Sequence, residues 1–344
     1  MKKFSKYTLI IISIILGIVM ILAILKQIPF NEVKQAFQSA TPLAIIGFLL
    51  VSITMMFLFT WRWQIITDTK KRVPILNLLQ YKIVGYGISF ITPVAKAGGE
   101  PLRAMLLQKE GFSFKEGLST IAIDKIVDLT TSGFLFIIGI LVAITTFALP
   151  EKAEVLLMVF IIVIIALIIW FYLMLIGDKN VLQKIFKLLR FDRIKKLKKF
   201  EKDIIEMDVL LISFYKHHKK SFNKVMILSS ITWLLMFLEY QFALMIVGIQ
   251  NVSFAGLFLI ITMMGTAYLI PVPLALGVLE AGQISIFSLL KLSSASAVGL
   301  ATIIRARDLL WTLIGVTFLL THGINFKKAY DKSIKKETIS SNNK

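Results

Sequence analysis

Cysteine is absent from the 344 residues, which excludes disulfides, iron–sulfur clusters and thiol nucleophiles and leaves the redox compartment open. Histidine is almost absent: His217, His218 and His322 are the whole complement. His217 and His218 are adjacent and share no helical face, so they do not form a metal pair. The chain has no glycine-rich phosphate loop ending in G-K-[ST], no H-E-x-x-H and no G-x-S-x-G. No catalytic residue, metal or cofactor is therefore expected, nor ATP bound by this chain. Acidic residues are scarce as well, 20 against 39 Lys plus Arg, for a formal net charge of +19. Charged residues make up 17% in all, well short of the roughly 25% of soluble chains.

What fills the space is apolar. Hydrophobic residues are 57% of the chain and the mean hydropathy is +0.81. An integral membrane protein follows, and with it a different meaning for the positive charge. Nucleic-acid binding needs a solvated basic surface, which most of this chain cannot offer, so no nucleic acid is expected as a partner. A helix crosses a hydrocarbon core of about 30 Å with about 20 apolar residues. Runs of that kind lie at 8–25, 43–66, 118–148, 154–176, 225–247 and 297–321, with weaker ones at 75–92 and 254–272 that stop at Pro93 and at Pro271 and Pro273. The first run follows Lys2, Lys3 and Lys6 and is read as an uncleaved anchor, being too long for a signal peptide.

Lys and Arg mark the cytoplasmic side. Segment 177–224 holds fourteen of them and six acids, and the polar tail 326–344 holds six and two. With the N-terminus and the Lys70-Lys71-Arg72 loop they place both termini in the cytoplasm of a multi-pass cell-membrane protein. The spacing of Ile185, Leu188 and Leu189 makes 177–224 a basic amphipathic segment suited to an anionic lipid surface, and 326–344 reads as a disordered basic tail.

Sliding the chain over itself until Gly85 meets Gly265 aligns 85–129 with 265–309 without a gap. In that register Pro93 meets Pro273, Ala95 meets Ala275, Glu100 meets Glu280, and Ser113 meets Ser293. Further on, Ile123 meets Ile303, Lys125 meets Arg305, and Asp128-Leu129 meet Asp308-Leu309. The repeat copies are 75–148 and 254–321 of a single transmembrane domain, 1–344. By charge parity they start from opposite faces, an inverted-topology repeat of the kind that builds many transporters. In each copy a helix runs into a Pro/Gly stretch with hinge residues Pro93, Gly98 and Gly99 or Pro273 and Gly277. A second short helix then begins near Glu100 or Glu280; residues 100–110 span about 16 Å as helix, half a membrane. Two re-entrant hairpins with a polar cavity between them are the expectation. The fold class is thus all-α and polytopic, with about six full spans and two hairpins.

Six cations (Lys82, Lys96, Arg103, Lys125, Arg305 and Arg307) and six acids (Glu100, Asp124, Asp128, Glu239, Glu280 and Asp308) fall inside the expected embedded segments. Unpaired placement against lipid costs each of them about 2.5–3.5 kcal/mol. Spacing suggests pairs within one helix, Lys125 with Asp128, Arg305 with Asp308 and Glu100 with Arg103, with Lys125, Asp128 and Asp308 pairing or gating the helices. Lys96, Arg103 and Arg307 are left over by this pairing or placed by it at hairpin tips, where half-helix N-termini add positive potential and a phosphate headgroup would bind. Glu239 stands apart, beside Tyr240 and Gln241, and reads as a cavity residue. The binding set is therefore Lys96, Glu100, Arg103, Glu239, Glu280, Arg305 and Arg307.

These motifs carry a resemblance. T-P-V-A-K-A-G-G-E-P-L-R at 92–103, G-F-S at 111–113 and D-K-I-V-D-L at 124–129 resemble the first half of a membrane family. P-V-P-L-A-L-G-V-L-E-A at 271–281 and R-A-R-D-L at 305–309 resemble its second half. The family is the lysylphosphatidylglycerol synthase transmembrane region, the flippase-like integral membrane proteins that include the flippase portion of the multiple peptide resistance factor. The positions that match are Pro93, Gly98, Gly99, Glu100, Arg103, Asp128, Gly277, Glu280 and Arg305. Leu274-Ala275-Leu276 depart from the family's Gly-Gly turn. The resemblance implies a lipid flippase or scramblase without the aminoacyl-transfer domain, so this chain is not expected to make lysyl lipids itself. Its substrate would be a phospholipid or polyprenyl-phosphate-type lipid with a charged headgroup. Two alternatives stay open: an accessory or transferase-like subunit of lipid-linked glycan or lipid modification, and a secondary transporter of a small anion. A homo-oligomer or a partner synthase or transferase is compatible with either.

Overall fold

The computed structural model describes residues 30–92, 98–147, 150–188, 190–194, 198, 201–270, 272 and 275–321. Among them all regular structure is helical. The order is α1 (Phe30–Gln38), α2 (Pro42–Thr67), α3 (Ile75–Ile91), α4 (Glu100–Leu107), α5 (Phe114–Thr146), α6 (Glu151–Ile176), α7 (Val181–Leu188), α8 (Glu201–His217), α9 (Lys219–Ile246), α10 (Phe254–Leu269), α11 (Val278–Leu289) and α12 (Ser294–Thr321). The run expected at 8–25, the tail 326–344, and Pro93, Lys96 and Pro273 lie outside the described residues.

Four helices, α2, α5, α6 and α9, are long and apolar enough to cross a membrane. α6 is apolar all round, and Leu156, Ile162, Ile169 and Leu173 are exposed along it, the surface expected of a helix solvated by lipid. α12 has 28 residues, yet every 18-residue stretch of it contains Arg305, Arg307 and Asp308. α3 and α10, with 17 and 16 residues, are shorter than a span.

Local chemistry sets the ends. Pro42 opens α2, where its missing N–H costs nothing. Ser113 and Glu116 form a reciprocal capping box at α5. Ser253 accepts from the Gly256 N–H at 3.2 Å to start α10.

The chain divides into two compact units, with boundaries inside α2, α3 and α9. The first comprises Met1–Phe57, Lys82–Gly99 and Thr232–Thr321. Its helices approach closely at small residues: a Cβ on Gly315 would lie 2.6 Å from the Ile83 carbonyl oxygen, and one on Gly87 would lie 3.1 Å from the Thr312 Cα. A Cβ on Gly99 would collide with the Gly85 carbonyl oxygen, while the Gly99 N–H donates to Ser89 Oγ at 2.9 Å.

The second unit holds Leu58–Tyr81 and Glu100–Ile231. Its core packs Ile66, Ile123, Val127, Leu175, Leu211 and Phe214, each such side chain contributing about 1.5–3 kcal/mol when fully buried. Leu182 and Ile185 of α7 pack onto that core, while Leu188 is 78% exposed. The amphipathic face of α7 is thus used mainly inside the protein. Of the residues expected to meet lipid there, Leu188 faces outward, Ile185 does not, and Leu189 lies outside the described residues. Asp208 of α8 ties the α7 N-terminus down, accepting from the Leu182 and Gln183 N–H groups at 2.8 and 2.9 Å.

Helices α2–α5 and α9–α12 follow the same order of long and short elements, in the register of the sequence repeat. The turns match too. Gly111 (φ 86°), after the 3-10 turn Gln108–Glu110 that follows α4, and Lys291 (φ 56°), two residues past α11, are both left-handed, and Ser113 and Ser293 each stand just before the long helix.

Candidate functional site

Each unit holds its own buried charge cluster. In the second unit, α2 carries Arg62, whose side chain is only 2% exposed. Its Nε donates to Asp124 Oδ1 at 2.7 Å and its Nη1 to Asp128 Oδ1 at 2.7 Å and Ser229 Oγ at 2.8 Å. Asp124 and Asp128 are four apart on α5 and so face the same way. From α4, Arg103 donates through Nη1 to Glu100 Oε2 at 2.7 Å and lies 4.1 Å over the Trp63 ring. Trp63 is held in turn by its Nε1–H to Thr120 Oγ1 at 3.0 Å. Lys125, 55% exposed, reaches Glu100 Oε1 at 3.0 Å. Among the described residues of this cluster, three cations balance three acids.

One group in this balance is incompletely satisfied. Arg103 is 3% exposed, and neither its Nε nor its Nη2 has a hydrogen-bond acceptor among the described residues; Asp124 Oδ2 stands 3.7 Å from Nη2. Charge-assisted bonds to planar oxygens fit the fork of a guanidinium, and two of the three nitrogens of this one have no such bond among the described residues.

In the first unit, Arg305 of α12 grips both oxygens of Glu280, Nη2 to Oε2 at 2.8 Å, and donates again to the Ala275 carbonyl at 2.9 Å. Ala275 sits at φ 49°, a strained value for a residue with a Cβ. Arg307 joins Glu239 at 2.5 Å and Asp308 at 2.8 Å. Tyr86 and Tyr268 donate their hydroxyls to the two oxygens of Asp308 at 2.6 and 2.7 Å. Gln283 occupies the position that Arg103 has in the other copy. Its Nε2 donates to the Ile260 carbonyl at 3.0 Å, and its buried Oε1 has no hydrogen-bond partner among the described residues.

Several expectations need correction. Lys125 and Asp128 do not pair along α5. Lys125 turns to Glu100 on α4 and Asp128 to Arg62 on α2, because helix packing sets these partners within direct contact. Arg307 is no spare cation and Glu239 no isolated acid, since the two bind each other. Arg305 holds Glu280, and Asp308 holds Arg307 with the two tyrosines. The pairing of Glu100 with Arg103 holds. α4 and α11 begin at Glu100 and Val278, and Gly98, Gly99 and Gly277 occupy the turns before them. Arg62 is not in the set expected from sequence, although a lone cation in the apolar run 43–66 is the signal that points to it.

Outward-facing apolar helices around buried, mutually paired charges define a multi-pass integral membrane protein. The chain belongs to the lysylphosphatidylglycerol synthase TM region family, whose model matches residues 10–315. It is similar to a UPF0104 membrane protein of Methanothermobacter thermautotrophicus, 30% identical over 146 residues. That match covers 41% of this chain and 42% of the relative, so the chain spans less than half of the relative's length.

Proposed function

We propose that the chain is a lipid flippase or scramblase, taking a phospholipid or polyprenyl-phosphate-type lipid by its charged headgroup while the acyl chains stay in the bilayer. The observation that carries this is Arg103, buried between Glu100 and the Trp63 ring with two of its nitrogens making no hydrogen bond among the described residues. A phosphate arriving there replaces Glu100 on the guanidinium, and Glu100 keeps Lys125 as its partner. Each partner on Arg103 and Lys125 is then a single anion, although the cluster as a whole gains the negative charge of the phosphate. Glu280 on Arg305 repeats the Glu100–Lys125 pair in the second copy and supports a duplicated machine. The finer architecture belongs to the same reading: six full spans, two re-entrant hairpins in copies of opposite topology, and both termini in the cytoplasm. Arg305 and Arg307 then bind headgroup by the same exchange of carboxylate partners, with Glu239 and Glu280 setting the balance. Membership of a family described by a lipid-modifying synthase supports lipid as the cargo.

The test is reconstitution into vesicles carrying headgroup-labelled anionic, lysyl and polyprenyl-phosphate lipids, read by the fraction of label reached by an external quencher. Wild-type protein should move at least one of these. Arg103→Ala should slow it about tenfold or more, the worth of one charge-assisted contact. No movement above protein-free vesicles with any of the three lipids would sink the flippase reading.

A further inference from the structure

The second unit also contains an open cavity of about 640 Å³, lined by α2 and α9 and the residues beside them and apart from the charge cluster. Its lining is sorted along its length. On α2, Trp61 and Ile65 come first and Asp68 and Thr69 follow; at the start of α9, His218, Ser221 and Lys224 come first and Ile227 and Leu228 follow. The two helices run opposite ways along the chain and become polar at the same end of the cavity. That end adjoins Lys70, Lys71 and Arg72 after α2 and Lys219 and Lys220 at the start of α9. The walls at the other end, with Trp61 and Ile227 exposed, are apolar.

An apolar trough opening into a polar mouth has the profile of a single lipid lying with its head at the membrane surface. The mouth offers both signs of charge: Lys224 and His218 supply donors for a phosphate, and Asp68 supplies an acceptor for an ammonium. A purely anionic headgroup would leave Asp68 facing like charge. The volume is also of the size usual for small-molecule sites. Trp61 and Leu228 of the lining precede Arg62 and Ser229 in the chain, which are hydrogen-bonded to each other at 2.8 Å.

We propose that this trough is a resting site for one zwitterionic phospholipid, its phosphate on Lys224 and His218 and its ammonium on Asp68. The proposal rests on the reading of the chain as a lipid-handling protein, but binding is measured without translocation, so the two fail separately. Purified protein in detergent is titrated with phosphatidylethanolamine or phosphatidylglycerol bearing brominated acyl chains. Quenching of Trp61 is taken as the part lost in Trp61→Phe.

Wild type should bind the ethanolamine lipid at least fivefold more tightly than the glycerol lipid. Asp68→Asn should abolish that preference by weakening the ethanolamine lipid alone. Lys224→Gln should weaken both. Ile227→Phe, which adds bulk at the apolar end without a second indole and leaves the charges in place, should diminish quenching by either lipid. All these positions line an open surface, and retained helical signal verifies the fold of each variant. Equal affinity for the two lipids in wild type, or a preference that survives Asp68→Asn, overturns the assignment. So does undiminished quenching in Ile227→Phe, which would show the bromines reaching Trp61 from outside the trough.

Discussion

Arg62 illustrates how much one residue can organise in an apolar interior. It holds two carboxylates and a hydroxyl at once, from α5 and α9, at a point buried from solvent. Removing one partner of such a set costs more than removing the set, because the survivor stays buried and unpaired. Arg62→Ala should therefore destabilise the protein by about 3–5 kcal/mol, read as lost thermal or denaturant stability in detergent. The double variant Arg62→Met with Asp124→Leu should cost clearly less, having replaced part of the network with apolar volume. Equal losses would mean that Asp124 is satisfied by other groups. Arg62 was visible in the sequence as a charge inside an apolar run. Its partners were not, lying 62, 66 and 167 residues away.

At the scale of elements, the short helices depend on their ends. α7 has eight residues, too few to persist alone, and Asp208 supplies acceptors for two of its N-terminal N–H groups. Asp208→Ala leaves those groups without an acceptor and should cost about 1–3 kcal/mol. Burial pushes the Asp208 carboxyl above its ordinary range, in spite of these hydrogen bonds. A carboxyl raised in the folded state binds its proton more tightly there than when unfolded. Its contribution to stability is therefore greatest below the ordinary carboxylate range and declines as pH rises through the window up to the raised value. Asp208→Asn should flatten that slope in denaturation measured between mildly acidic and neutral pH. Gly99 sets a different limit, since an added Cβ strikes the Gly85 carbonyl oxygen. Gly99→Ala should displace the start of α4, and with it Glu100, more than Gly265→Ala displaces anything, because a Cβ on Gly265 meets open space. The glycine motif was legible in sequence; the backbone it touches was not.

For the whole molecule, the decisive question is topology, and the absence of cysteine makes it easy to ask. Single cysteines can be introduced with no native thiol to confuse the labelling. Lys109→Cys and Lys291→Cys, in equivalent turns of the two copies, should react with a membrane-impermeant maleimide from opposite sides of sealed vesicles. Labelling from the same side would make the duplication parallel and remove the inverted repeat.

The class of protein and the position of the four helices long and apolar enough to cross a membrane were determined by sequence alone. Each depends on quantities that add up locally: apolar transfer energy along a run, turn and cap chemistry, and the spacing of rare polar residues. The ends of α2, α4 and α11 were legible for that reason. Which charge meets which was decided by tertiary structure only. Within a helix, spacing offers Lys125 the neighbour Asp128, worth a few tenths of a kcal/mol. Packed helices offer Lys125 the carboxylate of Glu100 and Asp128 the guanidinium of Arg62, and each takes the opposite charge that packing brings within direct contact. The same packing left two nitrogens of Arg103 without a hydrogen-bond acceptor among the described residues.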